Sequence, residues 1–222
     1  MKKIICYSLL VSVSIFGFGC STNKPVMKEE MKNMSHVHMG HVGTKWIDTP
    51  GQVGLLTTLK EEAEIAKFHV DLAMKQPENL DWLKTHTKHV RHAVDAASES
   101  AGPGKGYGVL KAVKGVEQHI NFSANSADAS QNIKLHAIHV TTSAKNIVNW
   151  SGEIMSLSQT VLSSSSAQEA EGAVQAIQNM IGQILAGVDA DGDGAITWKA
   201  GEGGLKQMEK HFMFMRIGEG ME

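Results

Sequence analysis

"KTHTKHV" runs from Lys84 to Val90, and "KLHAIHV" runs from Lys134 to Val140. Both hold a His-x-x-His pair with Lys two residues ahead and Val directly behind, fifty residues apart. The same shift places His69 on His119, His86 on His136 and His89 on His139. Ala66–Val94 and Val116–Ala144 share only five identical residues, three of them histidines; Lys84/Lys134 and Val90/Val140 are the others. Apolar character is shared more widely, with Val70 matching Ile120, Leu72 matching Phe122 and Leu83 matching Ile133. This self-similarity reads as two copies of one helical hairpin. Nothing about common ancestry singles out histidine among so many changed positions.

Helical periodicity surrounds both copies. Leu55, Leu59, Ala66, His69 and Ala73 share one stripe of a first helix over about 55–76, closed by Pro77. Leu83, His86, Val90 and Ala97 share a stripe of a second helix starting near Asn79. The Gly/Pro-rich loop 98–108 follows. A third helix is expected over 109–126, a fourth from Ser130 past Trp150 with a break at Ser151-Gly152, and a fifth over 167–188. The fold class is therefore all-α: an antiparallel four-helix bundle of two repeated hairpins (51–164), then a helix–loop–helix (165–222).

The two HxxH pairs then fall at one level. His69 and His86 are equidistant from the Pro77 turn, as are His119 and His136 from the turn near Asp128. Each lies about 8.5 residues, or roughly 13 Å, from its turn. In an up-down-up-down bundle both turns share one end, so His69, His86, His89, His119, His136 and His139 are expected to form one six-histidine layer. Burying neutral imidazoles without partners costs about 1–3 kcal/mol per unsatisfied group, and a bound cation removes that cost by taking their lone pairs. No carboxylate matches in both halves, since Asp71 faces Asn121 in the alignment. The ligand set suits a transition metal, copper or zinc first. A non-covalent haem b with two axial histidines is the alternative, for no CxxCH exists. A two-metal oxidoreductase centre is another. His92 aligns with Thr142 and is set apart as structural.

Bulk properties bound the remaining classes. The 222-residue chain carries a formal net charge of −2, which gives no electrostatic basis for nucleic-acid binding. It is 42% hydrophobic but 5% aromatic, so Ala, Leu, Val, Ile and Met carry a core that leans helical. No Ser/His/Asp arrangement, reactive Cys or phosphate loop supports catalysis away from a metal centre, and enzymatic activity is left open.

Lys2 and Lys3 precede an apolar run from Ile4 to Phe18, and "GFGC" ends at Cys20. The segment resembles a bacterial lipoprotein signal. That resemblance implies a signal peptide over 1–19, a lipid on Cys20, and a membrane-anchored protein of the cell envelope. Ser21 fits sorting to the outer membrane of a Gram-negative cell. Gly17 stands where the family usually has Leu, and Phe18 is larger than usual. Cys6 would leave with the leader, so no intramolecular disulfide is possible. Residues 20–50 read as a polar tether. Within it, His36, His38, His41, Met34 and Met39 form a candidate accessory metal group, with Met27 and Met31 upstream.

"DADGDGAITWKA" (Asp189 to Ala200) resembles an EF-hand calcium loop. The resemblance implies calcium held by Asp189, Asp191, Asp193 and the Ala195 carbonyl, with Gly194 at the turn. Its twelfth position, normally Glu, is Ala200; Glu202 is the candidate replacement. A calcium-stabilised interaction module with incidental histidines is the last alternative.

Overall fold

The computed structural model describes residues 34–221, and nothing before Met34 is among them; the leader, Cys20, Met27 and Met31 fall outside. Seven α-helices and no strand occur among the described residues: α1 (Met34–Gly43), α2 (Leu55–Ala73), α3 (Leu80–Val94), α4 (Val109–Asn125), α5 (Gln131–Ser163), α6 (Ala167–Ala186) and α7 (Leu205–Gly218).

Local chemistry sets the helix starts. Asn79 caps α3 by accepting the Trp82 N–H, and Ser130 caps α5 by accepting that of Ile133. At α6, Ser166 accepts the Glu169 N–H while the Glu169 carboxylate takes the Ser165 N–H and hydroxyl. This is a close variant of the reciprocal capping box.

α5 is the mast of the molecule. Its 33 residues span about 50 Å, and α3, α4, α6 and α7 all pack against it. The chain does not break at Ser151-Gly152. Ser151 is buried, whereas nothing approaches Gly152, and packing of Ile147, Trp150 and Ile154 on either side holds the helix through the weak pair. α3 ends at Val94, which leaves Ala97 exposed in the following loop rather than on the helix stripe.

The core is aliphatic. Leu59, Leu83, Ile120, Ile133, Ile147, Ile154, Ile177, Ile181 and Ile184 are almost wholly buried, each contributing roughly 1.5–3 kcal/mol of transfer free energy. α6 packs on α2 and α3 as well as α5, and α7 lies along α5. Residues 165–221 thus share the core of the four preceding helices. The polar stretch before Pro50 also contributes: α1 packs on α4 and α2, with Ser35, Met39 and Val42 buried. A side chain at Gly54 would sit 2.6 Å from the Val42 carbonyl, so the start of α2 meets the end of α1 backbone to backbone.

Glu62 organises the loop between α3 and α4. It is fully buried on α2, and its carboxylate accepts the N–H groups of Lys105 (3.1 Å), Tyr107 (3.0 Å) and Gly108 (2.9 Å). Those donors would otherwise be orphaned at the entry to α4. Replacement Glu62→Ala should therefore cost about 3 kcal/mol or more, lowering the melting temperature by roughly 6–12 °C. Glu62→Gln, which keeps one acceptor oxygen, should recover part of that loss; thermal unfolding of both variants checks it.

Candidate metal centres

Nine histidines meet in three triads, not six in one layer. Site 1 joins His38 and His41 of α1 to His119 of α4. Site 2 joins His69 of α2 to His86 and His89 of α3. Site 3 joins His136 and His139 of α5 to His211 of α7. Each site has the same plan: an HxxH pair on one helix and a lone histidine on another. Residues i and i+3 share a helix face, so both rings of a pair point to the same neighbour. The Val after each pair (Val42, Val90, Val140) is buried and turns that face inward, as do Val70, Ile120 and Phe212 behind the lone histidines.

The structure thus divides the expected six ligands. His69, His86 and His89 stay together, but His119 turns to α1 and not to its own hairpin partner, while His136 and His139 turn to α7. A shared level along the bundle axis does not decide which neighbouring helix a ring faces. Packing decides it, and α1 and α7 occupy the positions that the layer would have needed.

The short pattern itself occurs a third time. "HMGHV" (His38 to Val42) follows the same His-x-x-His-Val pattern as 86–90 and 136–140. His211 had its own signal: His119 and His211 each stand three residues before a Phe, and His69 three before a Leu.

The geometry is repeated closely. In every triad the Nδ1 atoms converge on the Nδ1 of the lone histidine. His119 lies 3.1 Å from His38 and 3.3 Å from His41; His69 lies 3.1 Å from His86 and 3.3 Å from His89; His211 lies 3.1 Å from both His136 and His139. One N–H cannot point at two neighbours, so hydrogen bonding alone leaves lone pairs opposed. A central cation accepts all three. With metal–nitrogen bonds of about 2.0–2.1 Å and tetrahedral angles, ligand nitrogens stand about 3.3–3.4 Å apart, close to the spacing found.

Burial holds the rings neutral. His69, His119 and His211 are lowered from 6.5 to about 4, first by burial and then by the other histidines of their own triads. The six HxxH rings are also lowered, mainly by burial; at His38 the nearby Asp128 opposes the shift. No carboxylate or thiol joins any triad among the described residues. Asp128 accepts the Ser35 N–H and hydroxyl, and Asp71 is held by Lys67 and Gln178. Neutral imidazole is the ligating form.

The other expected ligands fall elsewhere. His36 pairs with Glu219 at 3.3 Å, Met39 is in the core and Met34 is exposed, so only His38 and His41 of the accessory group share a site. His92 meets the Glu99 carbonyl at 2.8 Å, outside the triads. The haem alternative does not fit the triads. A porphyrin must separate its two axial ligands, and nitrogens 3.1 Å apart with a third beside them leave it no space.

Aromatic rings that went unread in the sequence complete each site. Trp46 packs on His41 and His119, and Phe122 on His38 and His119; Trp82 packs on His86 and Phe68 on His69; Trp198 stacks on His139 and Phe214 packs on His136 and His211.

Asp189, Asp191 and Asp193 form a separate acidic triad in the loop between α6 and α7. Asp189 accepts the N–H groups of Gly192, Asp193 and Gly194, and Asp193 accepts that of Ala195. The Lys199 ammonium lies 3.1 Å from Asp191 and 3.8 Å from Asp193. Buried Glu202 takes the N–H and hydroxyl of Thr197 and closes the base of the loop.

The lone histidines make stability pH-dependent. They bind protons more weakly folded (about 4) than unfolded (6.5), so the metal-free protein should lose stability as pH falls from 6.5 towards 4, with this contribution constant above 6.5. A His119→Gln variant should lose less over that window than the parent; denaturant unfolding with chelator at pH 7.5, 6, 5 and 4 reads the difference.

No protein-family model, curated protein or solved structure matches the chain, so the triads are interpreted from their geometry.

Proposed function

We propose that the protein binds transition-metal ions, one at each tri-histidine site, and serves to buffer or hand on metal. The observation that carries this is the threefold recurrence of converging Nδ1 atoms on three different pairs of helices. Three protein ligands also suit exchange, since structural zinc sites close with four whereas sites that react or exchange keep a position open. The lipoprotein-like leader supports a place in the cell envelope, anchored through Cys20.

Copper or zinc should bind at three equivalents per chain by elemental analysis and calorimetry. The double variants His38→Ala/His41→Ala, His86→Ala/His89→Ala and His136→Ala/His139→Ala should each remove one equivalent and leave two. His36→Ala and His92→Ala should leave three. Free metal a hundredfold above Kd should stabilise the fold by about 2.7 kcal/mol per site. A single shared equivalent, lost in all three double variants, would refute the separate sites.

The acidic loop supports a second reading, calcium binding by Asp189, Asp191 and Asp193 with the Ala195 carbonyl. Calcium should raise the melting temperature of the parent and leave that of Asp189→Ala/Asp193→Ala unchanged. A rise that survives both substitutions places calcium elsewhere.

A further inference from the structure

Each triad carries one tryptophan and one phenylalanine, and they arrive from unrelated places in the chain. Trp46 follows its HxxH pair by five residues, Trp82 precedes its pair by four, and Trp198 comes from a loop 59 residues beyond His139. Phe68 directly precedes its histidine, whereas Phe122 and Phe214 follow theirs by three. A repeat inherited in register would put the rings at matching positions. Their convergence from different positions points to a requirement of the site chemistry. It also uses three of the chain's four tryptophans, leaving only Trp150 in the core.

The rings bracket the ligands closely. Trp46 is 4.7 Å from His41 and 4.5 Å from His119, with Phe122 5.1 Å from His38 on the remaining ligand. Trp82 lies 4.3 Å from His86 and Phe68 5.2 Å from His69. Trp198 stacks at 4.0 Å on His139, and Phe214 lies 5.4 Å from His136. These rings add no σ-donor to the three nitrogens of a triad, and each lays apolar surface against the ligating rings. Their π faces do attract a cation.

That environment separates candidate ions by coordination number. Zinc completes four ligands, and Cu(II) favours a tetragonal set of nitrogen and oxygen donors. A d10 monovalent ion is satisfied with three neutral nitrogens and loses least when water is kept away. Building on the metal-site reading above, we infer that the three triads are sites for Cu(I), held three-coordinate by imidazole Nδ1 atoms between a tryptophan and a phenylalanine, and that they discriminate against Zn(II).

The test is anaerobic competition on the full chain, with Cu(I) supplied from a chromogenic Cu(I) chelator and Zn(II) added in increasing excess. Three equivalents of Cu(I) should be retained against a hundredfold excess of Zn(II), with a three-coordinate Cu(I) signature at the X-ray absorption edge. Trp46→Leu, Trp82→Leu and Trp198→Leu should each reduce the Cu(I)-over-Zn(II) preference at one site by at least tenfold, while the corresponding Trp→Phe variants retain most of it. Displacement of Cu(I) by stoichiometric Zn(II), or Trp→Leu variants with an unchanged ratio, overturns the selectivity but leaves the metal sites standing. If neither ion binds at the triads, the metal-site reading fails and this inference with it. The parent competition needs no variant to fold.

Discussion

Two imidazole nitrogens brought within 3.1–3.3 Å of a third pose a problem that hydrogen bonding among them does not solve. Each neutral ring carries one N–H, and no assignment of protons directs a good hydrogen bond along every short contact. Charging the rings adds repulsion within a partly buried group. The fold nevertheless makes this arrangement three times, on six of its seven helices. Its cost is met by the aliphatic core between the sites, where leucine, isoleucine and valine fix the helices against which the rings are set.

The sites also occupy a particular stratum of the molecule. Each lone histidine is buried while most of its partners are half-buried, so the triads lie at the boundary between core and solvent. Burial there favours the neutral rings, and five of the six HxxH histidines keep part of their surface open to solvent. Glu62 shows the contrasting solution for buried polar groups: a carboxylate whose acceptor capacity is filled by backbone donors of one loop.

Much of this was legible in the residues. The periods around Leu55, Leu83, Val109 and Ala167 locate helices that the structure forms within a few residues. The HxxH pairs are weak signals by themselves, but their recurrence with a following Val marks, at 86–90 and 136–140, the helix faces on which the triads form. Partner choice was not legible, because it depends on which helices become neighbours across 72 to 81 residues of chain. α1 escaped for a local reason. With ten residues, two glycines and buried positions at Ser35, Met39 and Val42, it has almost no amphipathic contrast. His211 lies on a stripe with Met208, Phe212 and Met215 that reads as ordinary core. The tryptophans escaped because their spacing to the histidines differs at every site.

The sites differ in the length of chain they close, and this bears on assembly. His69 and His86 are 17 residues apart, within one helix pair, whereas His119 is 81 from His38 and His211 is 75 from His136. Closing the longer loops costs about 1.2 kcal/mol more in chain entropy, roughly two doublings of length. The middle site is therefore the one an emerging polypeptide can complete first, as soon as α2 and α3 have paired. The flanking triads wait for α4 and for the final helix, so the order in which the three triads can assemble follows the order of the helices along the chain.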